Sequence, residues 1–357
     1  MEQFQGFRDR DLAERLIRVI RELEPPKPIK ICHVCGTHEW TITHGGLRAL
    51  LPENVSLIAG PGCPVCIVPA REIDEAIWLS LNGVTVLTFG DMYRAPGSER
   101  SLEDVKSQGG KVRVVYSVRD AIEIAAKNYS KEFVFFAIGF ETTTPMNAVE
   151  AELCTENFSF LVSHRLIPPA LDALTTMDDL NLDGIIAPGH VSTIIGMKPY
   201  QKYPKMGMPT VIAGFESLDV LMGVYMILRQ IKKGEPRLEN EYSRAVTFEG
   251  NLKAQEAVAR VFDTVDGAWR GLGTIPDSAL KLKEEFSAQD ARLRYEIDVG
   301  PGRDVYPGCS CPQVILGKIS PDKCSLFMMA CTPEKPKGAC MVSKEGTCRI
   351  WAIEALL

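Results

Sequence analysis

Eleven cysteines are spread unevenly along the 357 residues. Six crowd into the last 49 positions, at 309, 311, 324, 331, 340 and 348; four form two C-x2-C pairs, Cys32/Cys35 and Cys63/Cys66; Cys154 stands apart. Thiols gathered at two distant places suit two sulfur sites. In Cys63-Pro64-Val65-Cys66 the two thiols can close a disulfide, and the proline stiffens the turn. A helix starting near Pro69 would lower a thiol pKa through its dipole. The two C-x2-C pairs together also match a zinc arrangement, with a gap of 27 residues that is longer than usual. Cys35, His38 and Glu39 set a thiolate, an imidazole and a carboxylate within one turn. Such a set suits a transition metal such as iron, or a nucleophilic cysteine. Cys32 falls on the opposite strand face by parity and reads as core. Cys309, Cys324, Cys331 and Cys348 are spaced C-x14-C-x6-C-x16-C. Four thiolates in a loop-rich unit suit either a [4Fe–4S] cluster or a four-cysteine zinc site. Cys311 and Cys340 are left as spares, or as a substitute for Cys309.

The elements that must position these residues are legible as apolar runs. A first amphipathic helix spans 10–23, with Leu12, Leu16, Ile17, Ile20 and Leu23 on one face, and Pro25, Pro26 and Pro28 stop it. Strands are expected at 29–34, 55–59, 84–89 and 112–116, and again at 133–138, 158–162, 184–187 and 210–213. Segments 70–81, 118–128, 143–155, 216–233 and 251–262 read as helices. This alternation predicts an α/β fold: two tandem parallel-sheet α/β domains, each covered on both faces. The divisions read as an N-terminal helix (1–28), a first α/β domain (29–130), a second (131–235) and a helical, cysteine-rich unit (236–357).

Unusual chemistry follows most strand ends, where open α/β sheets bind ligands. Gly90-Asp91 follows the third strand, Gly139-Phe140-Glu141-Thr142-Thr143-Thr144 the fifth, and Pro188-Gly189-His190 the seventh. Free amides at the turn after Gly139 would hold an anion, or the threonines simply cap a helix; no Walker lysine follows. Four of the five histidines (His38, His44, His164, His190) lie at or past strand ends, whereas His33 sits inside a strand and reads as packed.

Composition narrows the classes. Hydrophobic content of 45% and charged content of 24% are ordinary for globular domains. A net charge of −6 gives no basic footprint for nucleic acid. No apolar run is long enough for a membrane span or a signal peptide, so a cytoplasmic setting is expected, where cysteines serve as metal ligands or redox thiols more often than as staples.

At these residues the chain resembles the HypD family, maturation factors of [NiFe] hydrogenases. The resemblance rests on CGTHE (35–39), GPGCPVC (60–66), GFETTTP (139–145), PGHVSTIIG (188–196) and the CTPE, GACMVS and EGTC segments near the C-terminus. It covers nearly the whole chain with motif order kept. It implies two α/β domains plus a [4Fe–4S] unit. It also implies a scaffold that carries Fe(II) with a small HypC-type chaperone while two cyanides and one CO are added, the cyanide coming from a HypE-type thiocyanate donor. By motif, Cys35 would bind iron, Cys63 and Cys66 would be a redox dithiol, and Cys309, Cys324, Cys331 and Cys348 would ligate the cluster. His38, Asp91, Glu141, Thr143 and His190 would line the cleft. Three positions depart from the pattern: Trp40 after CGTHE, Pro312 after Cys311, and the tail RIWAIEALL. The other readings are a stand-alone iron–sulfur thiol–disulfide oxidoreductase and a zinc-stabilised binding module.

Overall fold

The structure, a computed structural model, describes residues 9–177 and 179–355. All eight expected strands form, within a residue or two of the expected ends. They are β1 (Ile29–His33), β2 (Val55–Ala59), β3 (Thr85–Thr88), β4 (Val112–Val114), β5 (Phe133–Gly139), β6 (Phe158–His164), β7 (Gly184–Pro188) and β8 (Thr210–Ala213). A short ninth strand, β9 (Leu238–Asn240), joins them. The fold is α/β with two parallel sheets.

The strands are not shared out in two consecutive fours. One sheet has the order β2-β1-β7-β8-β9 and the other β4-β3-β5-β6. The chain builds two strands of the first sheet, leaves to complete the second, and returns. A boundary at 130/131 therefore cuts through the second sheet, where β3 pairs with β5 in register from Thr85 and Phe133. Each parallel pair needs a crossover, but a crossover does not dictate which existing edge the next strand joins.

β5 and β6 are buried along all seven residues, as befits strands covered on both faces. Phe135 and Phe160 meet edge to face at 6.3 Å, and Phe89 packs on Phe135 in the same way at 5.6 Å. Full burial of one such ring is worth about 1.5–3 kcal/mol. Helix Ser217–Lys233 covers the first sheet with Leu221, Val224, Ile227 and Leu228, and the N-terminal helix Arg10–Glu22 lies on it through Leu16 and Ile20. Gly234 ends the long helix in the left-handed conformation at φ 66°, which favours glycine.

Beyond 236 the expectation of helices and loops misses an antiparallel hairpin, β10 (Phe262–Trp269) with β11 (Gly273–Leu282). Its tip is anchored by Arg270, whose backbone N–H donates to Ile67 O at 2.9 Å and whose Nε donates to Val68 O at 2.6 Å. The remaining chain carries only short helices, Cys311–Ile315, Ala339–Val342 and Thr347–Glu354, on a loop-rich path. No helix among the described residues is long and apolar enough to cross a membrane.

Candidate functional site

Cys35 ends the turn after β1 and is the N-cap of helix Gly36–His44. Cys63 follows β2 and is the N-cap of helix Pro64–Ile67, its sulfur accepting from Cys66 N at 3.2 Å. β1 and β2 are adjacent, so both turns open at the same carboxyl edge of the first sheet. Gly62 is required there: a Cβ on it would lie 2.2 Å from Cys35 N. Cys63 and Cys66 are joined in a disulfide. Paired in this way, the two sulfurs are not free for a zinc ion shared by the two C-x2-C pairs. Cys32 is buried, and burial pushes its thiol up to about 12, which leaves it as the core residue its strand parity indicates.

The six C-terminal cysteines come together in one place. Thiol interactions run in a row from Cys324 to Cys309, Cys311, Cys340 and Cys348. Cys331 lies within electrostatic reach of Cys309 and Cys324. Cys311 and Cys340, left over in the spacing, thus occupy the middle of the row. Backbone amides point at three of the sulfurs: Ser310 N to Cys324 at 3.4 Å, Lys337 N to Cys331 at 3.3 Å, and Cys348 N to Cys340 at 3.3 Å. The neighbouring Cys311 thiol and then burial push Cys309 well up, and burial pushes Cys331 up. Crowded, buried thiols with amide donors suit a positively charged, soft inorganic partner that draws off their protons. Among the described residues no three His, Cys, Asp or Glu side chains converge as ligands of a single ion would.

The two sulfur regions share one narrow cleft, lined by Cys35, Cys63, Cys66, Cys340 and Glu345 among others. Helix Ala339–Val342 packs on helix Pro64–Ile67 and brings Cys340 there. Glu345 was not singled out in the sequence. A Cβ on Gly36 would lie 2.4 Å from its Cβ, so only glycine lets this carboxylate approach Cys35. Asp91 explains how it is placed: its Oδ2 accepts from Lys344 N at 2.9 Å and from Ser343 Oγ at 3.2 Å, holding the segment before Glu345. Burial pushes the Cys35 thiol up to about 11, partly offset by the His38 amide, with the Glu345 charge adding to the rise. Burial, then Asp91, likewise raises Glu345. Both groups therefore favour a cation between them.

The other expected cleft residues lie elsewhere. His38 turns away from Cys35, its Nε2 2.8 Å from Gly214 O and 3.2 Å from Ala213 O. Burial lowers it to about 3, so it is neutral with Nε2–H donating. His38 stacks on Phe215 at 4.9 Å, and His190 stacks on the same ring at 3.8 Å. Glu39 is fully engaged. Its Oε2 meets His33 Nε2 at 2.9 Å and Arg48 Nη2 at 2.7 Å, while Oε1 accepts from Thr43 at 2.9 Å and from Trp351 at 2.7 Å. Burial alone would raise Glu39, but the His33 hydrogen bond and the Arg48 charge more than reverse it and hold the carboxylate at about 2. Cys35, His38 and Glu39 are thus not one donor set: a helical turn that looks convergent in sequence fans its side chains outward. Trp351, in the divergent tail, ties the last helix to Glu39. Thr143 pins its turn through Ile138 O at 3.3 Å and Phe140 O at 3.2 Å, and Glu141 lines a separate cavity. His164 is buried against Asn147 at 2.7 Å, and His44 pairs with Glu354 at 2.7 Å.

An α/β frame whose strand-end loops bring a disulfide and a free thiol against a knot of six further thiols defines a sulfur-rich redox or metal-handling protein. The profile of the family described as "HypD: Hydrogenase formation hypA family" matches residues 11–354. The chain is 46% identical over 353 residues to a putative hydrogenase expression/formation protein of Methanocaldococcus jannaschii, covering 97% of this chain and 98% of the relative. It is 42% identical over 365 residues to the hydrogenase maturation factor HypD of Azotobacter vinelandii (98% and 96% covered) and 42% over 363 residues to that of Cupriavidus necator (98% and 96% covered). The chain belongs to the HypD family of hydrogenase maturation factors.

Proposed function

We propose that this protein is the redox scaffold on which the Fe(CN)2CO centre of a [NiFe] hydrogenase is assembled, with HypC-type and HypE-type partners. One observation carries the reading: Cys35, the Cys63–Cys66 disulfide and Cys340 line a single cleft. Fe(II) is the cargo, held by the Cys35 thiolate with Glu345 as the neighbouring carboxylate. Because burial holds Cys35 up at about 11, the metal must displace its proton, and loading weakens as pH falls.

Cyanide delivery needs two electrons. A thiocyanate R–S–CN meeting a reduced Cys63/Cys66 dithiol gives R–SH, cyanide with one proton, and the Cys63–Cys66 disulfide. The carbon–sulfur bond is reduced and the dithiol oxidised, and cyanide passes to iron as its proton leaves. Restoring the dithiol requires thiol–disulfide exchange, in which Cys340 attacks the disulfide and Cys311 beside it closes the second bond. Cys309, Cys324, Cys331 and Cys348, the other thiols of the group, would hold a [4Fe–4S] cluster. Bound there, such a cluster supplies single electrons.

The test is anaerobic purification with the HypC-type partner followed by infrared spectroscopy. CO and cyanide stretches are expected in the wild type and absent in Cys35→Ala, which keeps its iron–sulfur absorbance. A fully loaded wild-type complex without those stretches would overturn the reading.

A further inference from the structure

A cavity of about 530 Å³, with no cysteine in its walls, lies between the hairpin, helix Leu252–Val261 and the start of helix Ile167–Thr175. Small-molecule sites typically span about 300–1,000 Å³. Ile194, Val258, Phe262 and Leu280 supply apolar wall, and more apolar than polar surface faces the space. At one side lies Glu141, which is buried. Its Oε1 accepts from Ile167 N at 2.9 Å, and Thr144 Oγ1 donates to its carbonyl at 3.1 Å, so it is fixed in place. Its Oε2 is buried with no hydrogen-bond partner among the described residues. Buried polar atoms without partners are rare, and each calls for a specific explanation.

The charge of the walls is one-sided. Glu141 and Asp263 are the acidic residues lining the cavity, and no lysine, arginine or histidine lines it among the described residues. An anionic ligand would meet two carboxyls and no compensating cation. A neutral apolar ligand would leave the Glu141 oxygen as it is. We propose that this cavity binds a small organic cation, an apolar body whose ammonium head pairs with Glu141 Oε2. Burial pushes the Glu141 carboxyl up to about 7, a rise that its own and the Ile167 backbone amides offset only in part and that a neighbouring cation would reverse. The proposal goes beyond the assembly chemistry above and does not depend on it.

The test uses the full chain and three probes of one shape: cyclohexylammonium, cyclohexanol and cyclohexanecarboxylate, followed by titration calorimetry and ligand-observed NMR. Cyclohexylammonium is expected to bind about tenfold or more tightly than cyclohexanol, the margin of one charge-assisted hydrogen bond, with the carboxylate weakest. Glu141→Gln should erase that margin while cyclohexanol binding persists, which also shows that the cavity is intact. Ala259→Trp, at the wall, should block both probes and leave the Cys35 cleft untouched. Equal binding of ammonium and alcohol by the wild type, an ammonium preference that survives Glu141→Gln, or undiminished binding by Ala259→Trp would each overturn the proposal. If Glu141→Gln does not fold, the wild-type ranking and Ala259→Trp decide it.

Discussion

The thiols at the two ends of the chain are supported in opposite ways. Cys35, Cys63 and Cys66 sit on turns fixed by adjacent strands, which are themselves clamped by hydrophobic packing. The six later cysteines sit on loops and short helices, from Cys311–Ile315 to Thr347–Glu354, with little ladder bonding to hold them. A short helix gains few hydrogen bonds for the backbone it orders, so such a unit needs another source of stability. Five buried thiols and the half-buried Cys309 are gathered in it, and a cluster on them, as proposed above, would be such a source. The first region would hold its geometry without any metal; under the proposed function the second would depend on one. The lesson is that one cleft can join a rigid sheet-edge turn to a unit that has little regular structure of its own.

The sharpest break of this comparison is Cys324→Ala. Iron and acid-labile sulfide should be lost together, and limited proteolysis should then cut first between 299 and 340 while circular dichroism of the sheets persists. Protection of 299–340 in metal-free protein would remove the contrast. Next in size is Glu39→Ala, which leaves Arg48 and Trp351 without their shared acceptor. Breaking such a buried ion pair costs about 3–5 kcal/mol, measurable as a lower denaturant midpoint.

The same residue sets a pH dependence. Glu39 titrates at about 2 in the folded protein against an ordinary value of 4.5, so its stabilisation is complete above 4.5 and is lost as pH falls toward 2. Glu141, raised to about 7, acts with the opposite sign and favours folding at lower pH, a contribution lost as pH rises through 7. Replacing Glu39 by Gln should flatten the acid limb of the stability curve. A smaller effect is expected of Cys63→Ser: the closed loop is short, so the disulfide contributes about 2 kcal/mol or less, visible as a redox-dependent melting temperature in the wild type alone. Smallest is Cys35→Ser, which should change stability by no more than about 0.5 kcal/mol while abolishing iron loading; a larger loss would mean that Cys35 is a structural residue.

Much of the fold was legible because buried parallel strands read as apolar runs, and FVFFAI at β5 has no other good interpretation. Strand order was not, since nothing in β3 or β7 names the edge it joins. The hairpin escaped because β10 alternates imperfectly, with Thr264 and Asp266 exposed but Val265 only half-buried between them, and its register shifts at Val265/Gly267. At the site, Cys35 and the Cys63/Cys66 pair stood out by spacing alone. Glu345 did not, because its significance lies in Gly36 having no side chain, a contact across more than three hundred residues. Cys311 and Cys340 were left by the spacing as spares or as a substitute for Cys309, and what it could not give is their place in the middle of the row, with Cys340 also on the shared cleft. His38 and Glu39 were legible as chemistry and misleading as geometry.

The interleaving of the two sheets has a temporal side. On the ribosome, Lys30 of β1 meets its partner Asp183 only after 153 further residues have been made. At about 5–20 residues per second, that is roughly eight to thirty seconds during which the nascent β1–β2 pair has an open edge. The Glu39–Trp351 bond closes 312 residues after Glu39 emerges. The Cys35 cleft, whose wall includes Cys340 and Glu345, is thus among the last parts of the molecule to be finished, and a chain still in synthesis lacks one side of it.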